Sequence, residues 1–144
     1  MLYYNNLSLS FIMSRLSKLS ASSPELVLRV LQSNVKPLSA YEILEKVKEF
    51  GIKSPPIVYR ALDTLMKIGK VHKINELNTF IACDCEEDHQ HLLSILTICQ
   101  SCNEVNELHD HIVIDHLAKL RTLNIYLANK AVIELPIMCQ NCII

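Results

Sequence analysis

Two Cys-x-x-Cys pairs are the residues of this chain whose types and spacing point most directly to a particular chemistry. Cys99 and Cys102 form the first pair, and Cys139 and Cys142 form the second. Two residues between the thiols let both sulfurs of a pair bind one ion, and two pairs complete a tetrahedron of thiolates around zinc. The spacing therefore predicts a structural Cys₄ zinc site, with disulfide bonds as the alternative. The loop 103–138 is longer than the roughly 15–20 residues of a zinc ribbon, so the metal would hold a small domain together.

The two halves of the chain carry opposite charges, although the net charge of all 144 residues is −1. Residues 1–82 contain 11 of the 14 Lys and Arg residues against six acids, a balance of +5. Residues 83–144 contain three basic residues against nine acids, a balance of −6, together with all six cysteines and five of the six histidines. This division predicts a polyanion-binding region followed by a metal-rich sensor or assembly region.

The N-terminal stretch is apolar, but no basic residue precedes it as in a secretion signal. The chain also has no run of about 18 apolar residues, so we expect no membrane partner. A cytoplasmic protein is the expectation, because thiols stay reduced there and can bind metal. Met13 is an alternative start to Met1, which would make residues 1–12 an extension.

The first half has the element order of a winged helix. Apolar residues three and four positions apart predict three helices. Ser23 caps the first, Ser39 and Glu42 form a capping box at the second, and the third starts near Ser54. Two β-like runs then form a hairpin, Val71 to Ile74 and Thr79 to Ala82. In the second half we predict strands at Leu93 to Ile98, Val105 to Leu108 and Val132 to Leu135, with a helix at Asp110 to Leu120.

A winged helix places its last helix in the major groove of DNA. Arg60 lies near the start of that helix, where its guanidinium can donate two hydrogen bonds to a guanine. Tyr59 and Lys67 share its polar face and Lys53 precedes it, and lysines of this kind contact phosphates. The alternative is that these are solvated surface charges on an ordinary helical domain.

Five segments of the chain resemble the ferric uptake regulator family, and in particular its zinc-sensing branch. They are Ser39 to Leu44, Pro55 to Leu62, Gly69 to Ile74, Ile98 to Val105 and Cys139 to Cys142. The resemblance covers residues 15–144 and implies an α+β fold. It implies a winged-helix DNA-binding domain at 1–82, a hinge at 83–92, and a small α/β dimerisation and metal-binding domain at 93–144 with the Cys₄ zinc.

The resemblance also implies a regulatory zinc site at the hinge. The matching positions are His72, Cys83, His91 and Glu107, with His89 as an alternative to His91. Imidazoles with one thiolate suit zinc better than the shell of nitrogen and oxygen ligands expected for iron or manganese. One thiolate and one carboxylate would also neutralise the charge of the ion.

A third metal site is a separate and open prediction. Asp88, His89, His109 and His111 could supply it, since two of these histidines are two residues apart just after Glu107.

The function implied by the resemblance is a homodimer that binds a palindromic DNA operator and represses zinc-uptake genes when zinc is plentiful. One alternative is an iron- or peroxide-responsive regulator of the same family. The alternative from another class is a zinc-dependent hydrolase or a thiol oxidoreductase. A catalytic zinc needs an open coordination position, whereas both predicted sites have four ligands, so we do not expect an enzyme.

Overall fold

The structure is a computed structural model that describes residues 21–84, 93–108, 111–123 and 131–143. The prediction about Met1 and Met13 therefore lies outside the described residues. Helices, a hairpin and a three-stranded sheet make up the described chain, which confirms the predicted α+β class. None of its helices is both long and apolar enough to cross a membrane.

Helices and a hairpin form the first part of the described chain. The elements are α1 (Ser23–Gln32), α2 (Ala40–Val47), a 3₁₀ helix (Lys48–Phe50), α3 (Pro55–Lys67), β1 (Val71–Ile74) and β2 (Thr79–Ala82). The two strands are antiparallel, and we call the segment 71–82 the wing. The predicted order of three helices and a hairpin is thus confirmed.

Capping boxes begin the first two helices. At α2, the Ser39 hydroxyl accepts from the Glu42 N–H at 3.3 Å, and the Ser39 N–H donates to the Glu42 carboxylate at 2.7 Å. The prediction that Ser23 caps α1 was wrong by one residue, because the cap is Ser22, whose N–H donates to Glu25 Oε2 at 2.7 Å. A Ser-x-x-Glu box needs the acid three residues after the serine, and only Ser22 has that spacing.

The helices pack through the apolar positions that repeat every three to four residues. Val27 of α1, Ile43 and Val47 of α2, and Val58 of α3 have no exposed surface. Phe80 of the wing closes this core from the other side. Burial of side chains of this size stabilises the fold by about 1.5–3 kcal/mol each, so the core explains why helices this short persist.

A second sheet follows, with the strand order β4-β3-β5. Its strands are β3 (Leu93–Cys99), β4 (Val105–Leu108) and β5 (Ala131–Ile137). The central strand β3 is antiparallel to β4 and parallel to β5. A parallel pair needs a crossover connection, and α4 (His111–Ala118) with a 3₁₀ helix (Lys119–Leu123) lies within it. The predicted strands and helix are present: β4 has the predicted ends, and the ends of the others differ from the prediction by at most two residues.

The wing is covered on both of its faces. Alternate residues of a strand point to opposite sides. Phe80 therefore faces the helices, while Ile74 and Ile81 face the second sheet and pack with Leu96 and Ile98. We call this contact the wing–sheet interface. Ile74, Leu96 and Ile98 have no exposed surface, so the interface is a second apolar core that joins the two parts of the protein.

Replacing Ser39 with Ala removes the acceptor for the Glu42 N–H at the start of α2. We expect the free energy of unfolding to fall by about 1 kcal/mol, because that N–H has no partner inside the helix. Urea unfolding followed by circular dichroism measures the change. Ser39→Asp is the matched control, since its carboxylate can cap α2, and an equal loss in both variants would contradict the capping role.

Candidate metal centres and nucleic-acid surface

The ends of two parallel strands bring the Cys-x-x-Cys pairs together. Cys99 is the last residue of β3 and pairs in register with Ile137, the last residue of β5. The chain turns directly after each strand, and Asn103 takes a left-handed conformation with φ 58° in the first turn. Because parallel strands end at the same edge of a sheet, both pairs lie at that edge.

The four sulfurs of Cys99, Cys102, Cys139 and Cys142 lie within 4.8 Å of one another. The Sγ atoms of Cys102 and Cys139 are 3.7 Å apart. Zinc with Zn–S bonds of about 2.3 Å has sulfur to sulfur edges of about 3.8 Å in a regular tetrahedron. The cluster therefore has the size of a Cys₄ zinc site, and the alternative of disulfides is wrong for these four cysteines, which are free.

Backbone N–H groups stabilise the thiolate form of one of these cysteines, Cys99. The N–H of Cys139 donates to Cys99 Sγ at 3.4 Å. This contact and the N–H groups of Cys102 and Ser101 lower the pKa of Cys99 to about 6. Hydrogen bonding to Cys142, burial and the other thiols raise the pKa of Cys139 to about 12. Four crowded thiols resist full ionisation unless a cation compensates their charge, so the donor set fits zinc.

A second group of ligand atoms lies where the wing meets the second sheet. The ligand atoms of His72, Cys83 and Glu107 are within 4.8 Å of one another. His72 comes from β1, Glu107 from β4, and Cys83 follows β2, where its N–H donates to Lys70 O at 2.9 Å. We call these three residues the hinge set. The predicted fourth ligand, His91 or its alternative His89, lies outside the described residues.

His72 and Glu107 form a close, buried pair. Nε2 of His72 is 3.2 Å from Glu107 Oε1. This nitrogen is buried and has no well-formed hydrogen bond among the described residues. A buried polar atom of this kind is costly, and it is an observed reason to expect a cation between the imidazole and the carboxylate.

The Glu107 carboxyl is held in its charged form. Burial alone would raise its pKa, but the His72 ring, the Asp84 N–H at 3.2 Å and the Ser94 hydroxyl outweigh burial and lower the pKa to about 2. A carboxylate that is ionised at neutral pH is a suitable zinc ligand.

The oxidation state of Cys83 decides whether its sulfur can act as a ligand in the hinge set. Cys83 is disulfide-bonded in this structure. Since zinc binds the thiolate, this cysteine must be reduced before its sulfur can act as a ligand.

The predicted nucleic-acid surface lies on the exposed side of α3. Tyr59 is 49% exposed and Arg60 is also exposed, with Nε of Arg60 3.4 Å from Pro56 O. Lys67 forms an ion pair with Asp63 at 2.7 Å, and Lys53 is exposed ahead of the helix. Surface ion pairs contribute only about 0–1 kcal/mol, so Lys67 can exchange Asp63 for a phosphate.

Sequence reasoning missed Tyr41, a large exposed aromatic residue beside this surface. Tyr41 of α2 is 67% exposed. It lines a concavity of about 270 Å³ together with Tyr59, Asp63 and Lys73. The sequence did carry a signal that Tyr41 is exposed. It lies between the core residues Ala40 and Ile43, on the polar side of an amphipathic helix.

The third metal site stays a prediction. Asp88, His89 and His109 lie outside the described residues, and His111 is exposed at the start of α4.

A winged helix followed by a sheet with two groups of residues that could hold a metal ion indicates a metal-binding transcription regulator. A family profile described as "Ferric uptake regulator family" matches residues 18–133. The chain therefore belongs to the ferric uptake regulator family, and the resemblance noted in the sequence is confirmed.

Zinc uptake regulators are among the similar proteins within this family. The "Zinc uptake regulation protein" of Escherichia coli (strain K12) is 32% identical over 118 residues, which are 81% of this chain and 68% of that protein. A structure described as "Crystal structure of holo XcZur" is 34% identical, covers 85% of this chain and 84% of its own, and has a TM-score of 0.70. Another, "Zinc Uptake Regulator Complexed With Zinc AND DNA", is 28% identical with a TM-score of 0.72, covering 85% of this chain and 82% of its own.

Replacing Cys102 with Ser should remove one zinc per chain and lower the thermal unfolding midpoint. The physical reason is that a structural zinc site contributes directly to folding, and three thiolates hold the ion less tightly than four. Elemental analysis and thermal unfolding of the reduced protein measure both effects. The neighbouring variant Ser101→Ala should keep the zinc and the midpoint, and an unchanged zinc content in Cys102→Ser would contradict the Cys₄ site.

Proposed function

We propose that this protein is a zinc-responsive DNA-binding repressor that controls zinc-uptake genes. The observation that carries the proposal is the hinge set, because its three residues join the wing to the second sheet across one interface. An ion bound there changes how firmly the winged helix is held. The similarity to zinc uptake regulators, one of them described with zinc and DNA, supports the same function.

The hinge set has the chemistry of a zinc site. His72 would donate its Nε2 lone pair, Cys83 a thiolate and Glu107 a carboxylate, with His91 or His89 as the fourth ligand. A thiolate favours zinc over iron or manganese, which prefer shells of nitrogen and oxygen. The thiolate and the carboxylate balance the two positive charges of the ion, so the buried site is neutral overall.

The Cys₄ cluster would have a different role. Its four thiolates leave no open coordination position, which is typical of zinc sites that stabilise a fold. It lies at the end of the second sheet, away from α3 in the chain. We propose that this site stays occupied while the hinge set responds to the zinc concentration.

DNA binding is assigned to α3 and to a homodimer of the chain. In this proposal α3 enters the major groove, Arg60 contacts a base, and Tyr59, Lys53 and Lys67 contact the backbone. Two copies related by a two-fold axis would read a palindromic operator. Zinc would fix the separation of the two α3 helices, and a change from 1:99 to 99:1 in population needs about 5.5 kcal/mol of differential binding.

The division of the chain follows the same proposal. Residues 1–82 are assigned to DNA binding, 83–92 to the hinge, and 93–144 to dimerisation and metal binding. We further propose a cytoplasmic location, where reducing conditions keep Cys83 and the Cys₄ thiols available. We propose no enzymatic activity, since the family consists of transcription regulators and both zinc sites are assigned four protein ligands.

Replacing Cys83 with Ser should abolish zinc-dependent DNA binding and leave a folded dimer. A hydroxyl is a poor zinc ligand at neutral pH, so the hinge set loses its thiolate while the Cys₄ cluster is unchanged. DNA affinity is measured by fluorescence anisotropy in buffered zinc with a phosphine reductant. Cys102→Ser is the contrasting variant, because disruption of the Cys₄ cluster should lower the thermal unfolding midpoint. A Cys83→Ser dimer with a normal zinc response would contradict the assignment.

Replacing Arg60 with Ala should reduce the preference for the operator over other DNA by a factor corresponding to about 1–3 kcal/mol. Lys67→Ala is the matched control, since loss of a phosphate contact should weaken binding to both kinds of DNA equally. Competition binding at fixed salt measures the ratio of affinities. An equal loss of affinity on both DNAs in Arg60→Ala would show that Arg60 contacts no base.

A further inference from the structure

The turn of the wing is bound by a carboxylate from the second sheet. Glu134 lies in the middle of β5, and its Oε1 accepts from the N–H of Asn75 at 2.6 Å and from the Asn75 side-chain amide at 3.1 Å. Its Oε2 accepts from the N–H of Glu76 at 3.0 Å. Three donors on a turn thus converge on one acid that is 58 or 59 residues away in the chain.

The same turn is also bound by a residue that lies within the first Cys-x-x-Cys pair. Gln100 lies between Cys99 and Cys102, and its Nε2 donates to Glu76 Oε1 at 3.1 Å. The Gln100 N–H donates to Ile137 O at 2.9 Å, which holds the turn after β3 against the end of β5. We call Asn75, Glu76, Gln100 and Glu134 together the wing-tip contact.

The wing-tip contact and the hinge set hold opposite ends of the wing. His72 and Cys83 lie near the base of the hairpin, and residues 75 and 76 lie in its turn. The apolar side chains of Ile74 and Ile81 lie between them in the wing–sheet interface. The wing is therefore held at its base, along one face and at its tip.

The geometry of the wing-tip contact favours one position of the wing. Backbone N–H groups move only with the chain, so two of them can meet one carboxylate only when the whole turn is in place. Bonds from N–H groups to a carboxylate are shorter and stronger than neutral ones. Glu76 and Glu134 are both acids, and without these donors their charges would push the turn away from the sheet.

We infer that Glu134 and Gln100 form a second tether, one without metal, that holds the winged helix against the second sheet, in the position that we assign to DNA binding. Glu134 is a positioning residue in this inference, which rests on the proposed function of the hinge set. Coupling between binding sites is reciprocal, so a tether that forms only in the bound position raises the affinity for both hinge zinc and DNA. Because Gln100 lies between Cys99 and Cys102, the Cys₄ cluster also contributes to this positioning.

The test uses the full-length protein with both zinc sites loaded. Glu134→Gln keeps the size of the side chain but presents an amide donor to one of the turn N–H groups, and Glu134→Ala removes every acceptor. Gln100→Ala removes only the bond to Glu76. Glu104→Gln is the control, because it removes an exposed acid from the same region outside the contact. Zinc content and thermal unfolding show that each variant is folded.

The first readout is hydrogen exchange of the Asn75 and Glu76 backbone amides. We expect exchange at these amides to become about tenfold faster in Glu134→Ala and to stay at the wild-type rate in Glu104→Gln. Unchanged exchange in Glu134→Ala would overturn the inference, because the amides would then not depend on this carboxylate.

The second readout is DNA affinity at saturating zinc. Loss of an acidic charge by itself strengthens binding to DNA, so electrostatics predicts equal or tighter binding for Glu134→Gln and Glu104→Gln. The tether predicts the opposite result: DNA affinity falls about fivefold or more in Glu134→Gln and falls by less in Gln100→Ala. If amide exchange becomes faster in the Glu134 variants but their DNA affinity equals that of Glu104→Gln, the inference is also overturned.

The two proposals fail in different ways. If wild-type DNA binding ignores zinc, the proposed function fails, while the amide exchange and DNA affinity of the Glu134 variants still decide the tether. If the wild type responds to zinc and these variants match Glu104→Gln, the tether alone is wrong.

Discussion

The contact between His72 and Glu107 is the constraint on which the rest of the arrangement depends. A buried imidazole nitrogen without a hydrogen-bond partner among the described residues lies 3.2 Å from an ionised carboxylate. Both groups have left water, which is costly unless a partner compensates them. A cation bound between them would compensate both at once, and its ligands would come from both the wing and the second sheet. In the proposed function, the position of the winged helix, and with it the position of α3, would thereby depend on metal.

The wing–sheet interface shows how such a link can remain reversible. Its apolar part, with Ile74, Leu96 and Ile98 fully buried, stabilises contact between wing and sheet even before an ion binds. The wing-tip contact adds directional hydrogen bonds from Glu134. In the proposed function, hinge zinc would then supply only part of the about 5.5 kcal/mol that a complete shift in population requires. The Cys₄ cluster, with its four crowded thiols, is suited to permanent occupation instead.

Local patterns predicted much of this fold. Helical periodicity located α1 to α3, and the Ser39 and Glu42 box located the start of α2, because both depend on residues a few positions apart. The cysteine spacing predicted a cluster whose sulfurs do lie together. The capping prediction at Ser23 erred because two serines are adjacent. Contacts between distant segments could not be predicted. Nothing in the sequence shows that Glu134 meets a turn 58 residues away, or that Ile74 and Ile81 turn from the helices toward the second sheet.

X-ray absorption at the zinc edge of the wild-type protein tests the central claim most directly. The reduced protein is loaded with two zinc ions per chain, one for each proposed site. Sulfur and nitrogen or oxygen ligands differ in distance, at about 2.3 Å and about 2.0–2.2 Å. A Cys₄ site together with a hinge site that contains one thiolate predicts an average of about 2.5 sulfur ligands per zinc. An average of about two sulfurs would mean that Cys83 does not bind the second ion, and it would contradict the hinge set as the zinc sensor.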